Sequence, residues 1–453
     1  MYFVNEYDVF KIGEHNVLLN YISGACDLIS NDVLFAVENK RFDLLSNDEK
    51  KLLIKRGYLF KSDETYKDYV KQVEGKLEEE DRLSPPNFLI IPTYACNLKC
   101  TYCFESAYSI EYKKVCSNWL ELAFQFILYV VKRYASILPN DKTFDPQLIV
   151  VTLMGGEPLL AQNYSVVERI VSFVERNGFS YNIITNGVNI SNYISLFKKV
   201  KPQSVQITLD GTQSIHDSRR INKDGSGTFE TIVANIHKLT MYNIPVHIRM
   251  NIDKNNIGCI DSFANYIEEE FKNNRYCIPY VYPMQDGGCY YENEILDEKN
   301  IILEIARFKS VGANLGHIRC LFHGSSIIRA IQKNQRIKLK IRNCAANKKQ
   351  YILDSYGNTY KCWFGVGNEN FTIGSYLDFS TYENKLDQQW TNRTVSTLSK
   401  CTTCKYRFLC GGGCLSHVYK GNSDIEQSRC VDFYELIKLQ LSQLLKEVLI
   451  QHD

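Results

Sequence analysis

Three cysteines stand close together in Cys96-Asn97-Leu98-Lys99-Cys100-Thr101-Tyr102-Cys103, directly after the apolar run Phe88-Leu89-Ile90-Ile91. The spacing C-x3-C-x2-C puts three thiolates on one short loop. Zinc prefers four protein ligands and usually pairs C-x2-C with a second such pair. Three thiolates alone suit an iron–sulfur cluster whose last iron is open to another ligand. A second group reads Cys344-x12-Gly357-x4-Cys362, then Cys401-x2-Cys404-x5-Cys410-x3-Cys414, then Cys430. Part of it could pass for a zinc ribbon, yet seven cysteines do not divide into tetrahedral sites without an eighth.

The elements that must hold these loops follow from periodicity. Apolar runs at Phe88–Pro92, Leu148–Met154, Tyr181–Thr185, Ser204–Leu209, Val246–Asn251 and Cys277–Tyr282 alternate with amphipathic segments such as Trp119–Tyr134, Val166–Arg176 and Thr228–Met241. Six strand–helix repeats predict a parallel α/β architecture, a partial (β/α)6 TIM-like barrel, with functional loops at the C-terminal strand ends. The first cysteine loop sits after the first strand. Gly155-Gly156-Glu157-Pro158, Thr185-Asn186-Gly187 and Thr208-Leu209-Asp210-Gly211 follow the next three. Glycine at a strand end lets backbone approach a ligand closely.

Length and composition bound the rest. A chain of 453 residues holds more than one unit. A net charge of +2 gives no reason to expect nucleic acid or an anionic membrane as partner. The start has no signal pattern and no apolar stretch spans a bilayer, so a cytoplasmic protein is expected. Sixteen cysteines without secretion point to metal or redox chemistry rather than disulfides. Six of them (Cys26, Cys116, Cys259, Cys277, Cys289, Cys320) are scattered and read mostly as small buried hydrophobes.

Four domains are expected. Residues 1–85 carry two strands around Gly13-Glu14-His15, helices from about Ser30 and from Asn47 to Lys55, and then Gly57-Tyr58-Leu59-Phe60, the outline of a winged-helix-like module. Pro85-Pro86 marks its end. Residues 86–290 form the barrel, 291–343 a helical bridging region, and 344–453 the cysteine-rich region with a terminal helix from Phe433 to Leu449.

Across 88 to 285 the chain resembles the radical S-adenosylmethionine superfamily. That resemblance implies a 4Fe–4S cluster on Cys96, Cys100 and Cys103, with Tyr102 before the third cysteine. It implies that Gly155, Gly156 and Glu157 receive the methionine amino group of S-adenosylmethionine, with Thr185 and Asn186 on the next loop. Thr208 and Asp210 fall where ribose contacts are expected. Arg220, in His216-Asp217-Ser218-Arg219-Arg220, is a candidate for the cofactor's carboxylate, and Arg249 competes for that role.

The seven C-terminal cysteines resemble the SPASM extension of peptide-modifying radical enzymes. By that resemblance Cys401, Cys404, Cys410 and Cys430 bind one auxiliary 4Fe–4S cluster, and Cys344, Cys362 and Cys414 bind another, which makes three clusters in all. The fourth ligand of the latter is Cys320, Cys289 or an open position. The first 80 residues resemble modules that bind a leader peptide by adding a strand to a sheet edge.

The function expected is thioether crosslinking of a ribosomally made precursor peptide, of the sactipeptide or ranthipeptide type, with a reductase, flavodoxin or ferredoxin as electron donor. Carbon–carbon or carbon–oxygen crosslinking, epimerisation and formylglycine formation on a sulfatase are the enzymatic alternatives, and an iron–sulfur electron carrier the non-enzymatic one. Asp286, Glu105 and the tyrosines of 280–291 are available as acid or base, and spacing favours none. Removing residues 1–80 is expected to spare cofactor cleavage.

Overall fold

Four short strands open the chain: β1 (Tyr2–Phe3), β2 (Tyr7–Ile12), β3 (His15–Asn20) and β4 (Cys26–Ile29). The computed structural model of the protein describes residues 2–4, 6–103, 105, 117–285, 292–382, 384–415 and 427–450. Strands β2, β3 and β4 form an antiparallel sheet in that order, while β1 pairs with β5 (Leu59–Phe60). Helices Asn31–Glu38, Asn47–Lys55 and Asp63–Arg82 follow the sheet. Each starts where a serine accepts from the first turn: Ser30, Ser46 and Ser62, the last two in capping boxes.

Strand β3 is buried on both faces, and the two faces have different partners. Leu18 packs with Val33, Val37 and Leu53 of the module's own helices. Val17 and Leu19 pack with Val395, Leu398, Phe408 and the terminal helix. Removing residues 1–80 would therefore strip the cover from the C-terminal cysteine region, so the expectation that cofactor cleavage survives that deletion is withdrawn. The same contact is polar at its rim. Asp8, buried, accepts from Tyr21 (2.7 Å) and Tyr406 (2.6 Å) and pairs with Lys405.

The central sheet has six parallel strands in chain order: β6 (Asn87–Ile90), β7 (Val150–Leu153), β8 (Ser180–Thr185), β9 (Ser204–Thr208), β10 (Val246–Ile252) and β11 (Cys277–Pro283). Alternation decides which face goes where. Val151, Leu153, Ile183, Val205, Ile207, Ile248, Met250 and Val281 are fully buried beneath the helices. The opposite face carries Thr152, Asn182, Gln206, Thr208, Arg249 and Tyr280 into the barrel. Helix Tyr164–Arg176 shows how the cover forms, since Val166, Val167, Ile170, Val171 and Val174 share one side.

The sheet does not stop at these six. In the region read as a helical bridge, β12 (Arg319–Cys320) pairs parallel with β11. At two residues it is too short to leave a periodic signal. At the other edge β13 (Gln350–Leu353) pairs parallel with β6, and β14 (Asn358–Tyr360) and β15 (Thr372–Ser375) continue antiparallel, ten strands among the described residues. The main sheet thus runs through position 344. Among the described residues no helix is long and apolar enough to cross a membrane.

Candidate active site

The loop bearing Cys96, Cys100 and Cys103 leaves β6 at the barrel mouth and is clamped along its length. Lys99 N–H donates to Ile221 O (2.9 Å), Thr101 N–H to Arg219 O (3.1 Å) and Lys223 N–H to Asn97 O (3.1 Å). Backbone 97–101 therefore runs as a short ladder beside 219–223. Tyr94, just before it, donates to Asp354 (2.9 Å) at the end of β13, which ties the loop's root to the C-terminal hairpin.

The far end is held by Tyr102. Its hydroxyl donates to the buried Asp210 and accepts from Arg220 (2.8 Å), while the Arg219 guanidinium lies 4.9 Å from its ring centre. Arg219 makes a two-pronged pair with the buried Asp253 (3.0 and 2.7 Å). Arg220 faces Cys100, Tyr102 and Asp210, and these hold its pKa well above the ordinary value despite burial. Its Nε has no partner among the described residues. Asp210 is fully buried. It accepts from Asn251 N–H (3.0 Å) as well as Tyr102, and its own N–H donates to His216 Nδ1. Burial pushes His216 down to about 4, so the ring is neutral and can accept.

Gly155 and Gly156 are required by the chain itself. A Cβ at Gly155 would lie 2.7 Å from Thr93 O, and one at Gly156 2.3 Å from Tyr94 O. Glu157, fully buried, accepts from Leu159 N–H (2.8 Å), Thr185 Oγ1 (2.6 Å) and Asn186 N–H (2.7 Å), so it locks the next loop. Asn186 passes that order on, donating to Asn97 (2.8 Å) beside Cys96. Burial and the facing Glu157 push Glu105 up to about 8. Thr208 and Arg249 are register partners on β9 and β10. Arg249 donates to Asn251 (2.7 Å) and lies over the Tyr282 ring (4.6 Å) inside the barrel.

Among the C-terminal cysteines, Cys401 feels Cys410, Cys404 and Cys430 as neighbouring charges, and Cys344 feels Cys414. Gly411, Gly412 and Gly413, between Cys410 and Cys414, all have positive φ (71°, 88° and 74°). A Cβ would collide at each, so this turn is closed to other residues. Cys320 is not brought into either group. It lines a cavity of about 460 Å³ with Lys309 and Glu447, and those are the charges that act on it. Cys289 and Asp286 lie outside the described residues. Sequence reasoning missed Asn251, Asp253 and Arg393, single polar residues whose partners are distant in sequence.

Among the described residues no three His, Cys, Asp or Glu side chains are gathered tightly enough for a single metal ion. The first loop's donor set suits a larger group. Burial pushes Cys96 up to about 12, so its thiolate needs positive charge beside it. Iron supplies such charge when bound, and Arg220 already faces Cys100.

Residues 90–267 match the model of the Radical SAM superfamily. A cysteine-type anaerobic sulfatase-maturating enzyme of Clostridium novyi is 25% identical over 70% of this chain and 84% of its own. The native anSMEcpe structure with bound AdoMet covers 81% of this chain and 98% of its own at 18% identity, TM-score 0.59. Streptococcus suis SuiB bound to precursor peptide SuiA covers 95% and 99% at 16% identity, TM-score 0.55. At these identities the two structures show the fold. The superfamily implies a 4Fe–4S cluster and S-adenosylmethionine, which the Cys96–Cys103 loop at the barrel mouth suits. Residues 90–267 are a radical SAM domain, and the protein is an enzyme that carries it.

Proposed function

We propose that this protein is a peptide maturase that joins a cysteine sulfur to a carbon of another residue in a ribosomally made precursor. Cys96, Cys100 and Cys103 would hold the first cluster. Cys401, Cys404, Cys410 and Cys430 would hold one auxiliary cluster, and Cys344, Cys362 and Cys414 another. When bound, the first cluster and S-adenosylmethionine supply a 5′-deoxyadenosyl radical that takes a hydrogen atom from the substrate. Arg220 and Arg249 are the cations this chain offers a cofactor carboxylate, and its glycine loops set the mouth.

The carrying observation is the placement of the C-terminal cysteines. Cys362 packs against the same core as Tyr94 at the root of the first cysteine loop, and Cys401 and Cys410 lie in the core beneath the N-terminal sheet. Such an arrangement suits a reaction that must pass an electron on. Forming C–S from C–H and S–H removes two hydrogens. One hydrogen atom goes to 5′-deoxyadenosine, the thiol proton leaves to solvent, and the remaining electron goes to an auxiliary cluster.

Residues 1–80 would bind the leader. Strand β4 is an open sheet edge, and Leu28 on it is 65% exposed. Phe35 and Leu52 are also exposed on the module's helices. An edge with apolar side chains is what an added peptide strand needs. The reading is supported by SuiB, whose structure was solved with a precursor peptide and covers 95% of this chain.

Formylglycine formation on a sulfatase is the second reading, favoured by the Clostridium novyi relative. Coexpression with a neighbouring cysteine-rich precursor decides between them by mass spectrometry. A peptide lighter by two hydrogens per event, with one thiol closed to alkylation, is expected. Loss of two hydrogens with every thiol alkylatable would overturn the thioether in favour of a carbon–carbon or carbon–oxygen bond. Unchanged mass in ordinary water, with one deuterium gained at an α-carbon in heavy water, would indicate an epimerase.

A further inference from the structure

Arg393 ends the helix Lys385–Asn392 and is only 4% exposed. Its Nη1 donates to Gly413 O (3.2 Å), and its Nη2 donates to Gly412 O (2.8 Å) and Gln427 O (2.8 Å). The first two carbonyls lie on the turn between Cys410 and Cys414, and the third lies three residues before Cys430. One guanidinium thus staples the segments that carry three of the seven cysteines. Its Nε has no partner among the described residues.

The ionisable groups that face Arg393 are thiols: Cys401, Cys344, Cys414 and Cys410. Those four come from both proposed ligand sets. A buried cation paired only with neutral groups is costly. Carbonyl oxygens satisfy part of the guanidinium's hydrogen bonding, but they carry no full charge. The missing counter-charge is what thiolates bound to iron would bring.

We propose that Arg393 is the shared positioning residue of the two auxiliary clusters, fixing their ligand loops and placing one positive charge between them. This rests on the assignment of two auxiliary clusters made above. A cation beside a cluster stabilises the added electron and raises the reduction potential. Both auxiliary sites are thereby made better acceptors for the electron that bond formation releases.

The test uses the full chain, reconstituted anaerobically, as wild type, Arg393→Lys and Arg393→Gln. Lysine keeps the charge and loses the fork; glutamine keeps a planar donor and loses the charge. Iron per chain, the spectra of the reduced clusters and their potentiometric titration are read together with 5′-deoxyadenosine formation. Arg393→Gln should lower both auxiliary potentials, or weaken auxiliary iron retention and crosslinking by roughly 10–100-fold, as loss of an outer partner does. Arg393→Lys should hold the potentials near wild type, and cofactor cleavage should persist in both. If the Gln protein is insoluble, Arg393→Met is read the same way. Full auxiliary iron with unshifted potentials in the uncharged variant would overturn the proposal. Wild-type protein with zinc, or with iron for one cluster only, would instead overturn the auxiliary clusters themselves, and this role with them.

Discussion

Gly156→Ala tests how the cysteine loop is placed. A Cβ at this position would lie 2.3 Å from Tyr94 O, 2.5 Å from Ala95 O and 2.6 Å from the Tyr94 carbonyl carbon. An ordinary carbon–oxygen approach is about 3.3–3.6 Å, so the two strands must part by about 1 Å. Neither obstacle is a side chain that could rotate away. Both carbonyls belong to the turn that leads into Cys96, and Ala95 O also accepts from Glu157 N–H (2.8 Å). Overpacking of this kind costs about 1–3 kcal/mol. The functional cost is larger, because a displacement near 1 Å at a reacting centre lowers rate by about 100-fold. Reductive 5′-deoxyadenosine formation, with iron content and a denaturant midpoint on the same preparations, measures both effects. Gly258→Ala is the control, since a Cβ there meets nothing within 4 Å. Wild-type cleavage rate and midpoint in Gly156→Ala would refute the claim that this close approach positions Cys96.

Replacing Cys96, Cys100 and Cys103 together with Ala should abolish 5′-deoxyadenosine formation while auxiliary iron remains; residual cleavage would mean that another cluster binds the cofactor. His216 should shape acid stability. Its pKa falls from 6.5 to about 4 on folding, so the unfolded chain takes up the proton first. Stability from this group is present above about pH 6.5 and is lost as pH falls toward 4, a loss of roughly 3 kcal/mol. Denaturant unfolding of His216→Gln across that range should show the acid arm flattened, and an unchanged slope would contradict the buried neutral ring. Leu28→Asp should weaken leader binding by about 2 kcal/mol, the worth of a buried leucine, or roughly thirtyfold in Kd by calorimetry. Equal affinity would place the leader elsewhere.

The six barrel strands and the two groups of cysteines were legible in the sequence because both are local properties. A short apolar or alternating run marks a strand whatever it pairs with, and ligand spacing is written in the covalent chain. The sites of pairing were not. Asn87 meets Gln350 in register across 263 positions, and nothing in either segment announces the other. The charged residues show the same limit. Arg219 and Arg220 are adjacent and chemically identical, yet one turns to Asp253 and the other to Tyr102 and Cys100. Backbone direction at the end of helix Gln213–Arg219 makes that choice. Glu157 and Asp210 could be named as site residues from their loops, but their burial, and hence their work as internal clamps, depends on which loops lie against them. β3 carries the same lesson for the N-terminal module. Its apolar run Val17-Leu18-Leu19 after the turn at Gly13 predicts a strand, while only the packed structure shows that Val17 and Leu19 cover the cysteine region. Short-range periodicity and spacing belong to the chain, whereas partner choice for a buried charge or an apolar face is decided when distant segments exclude water together.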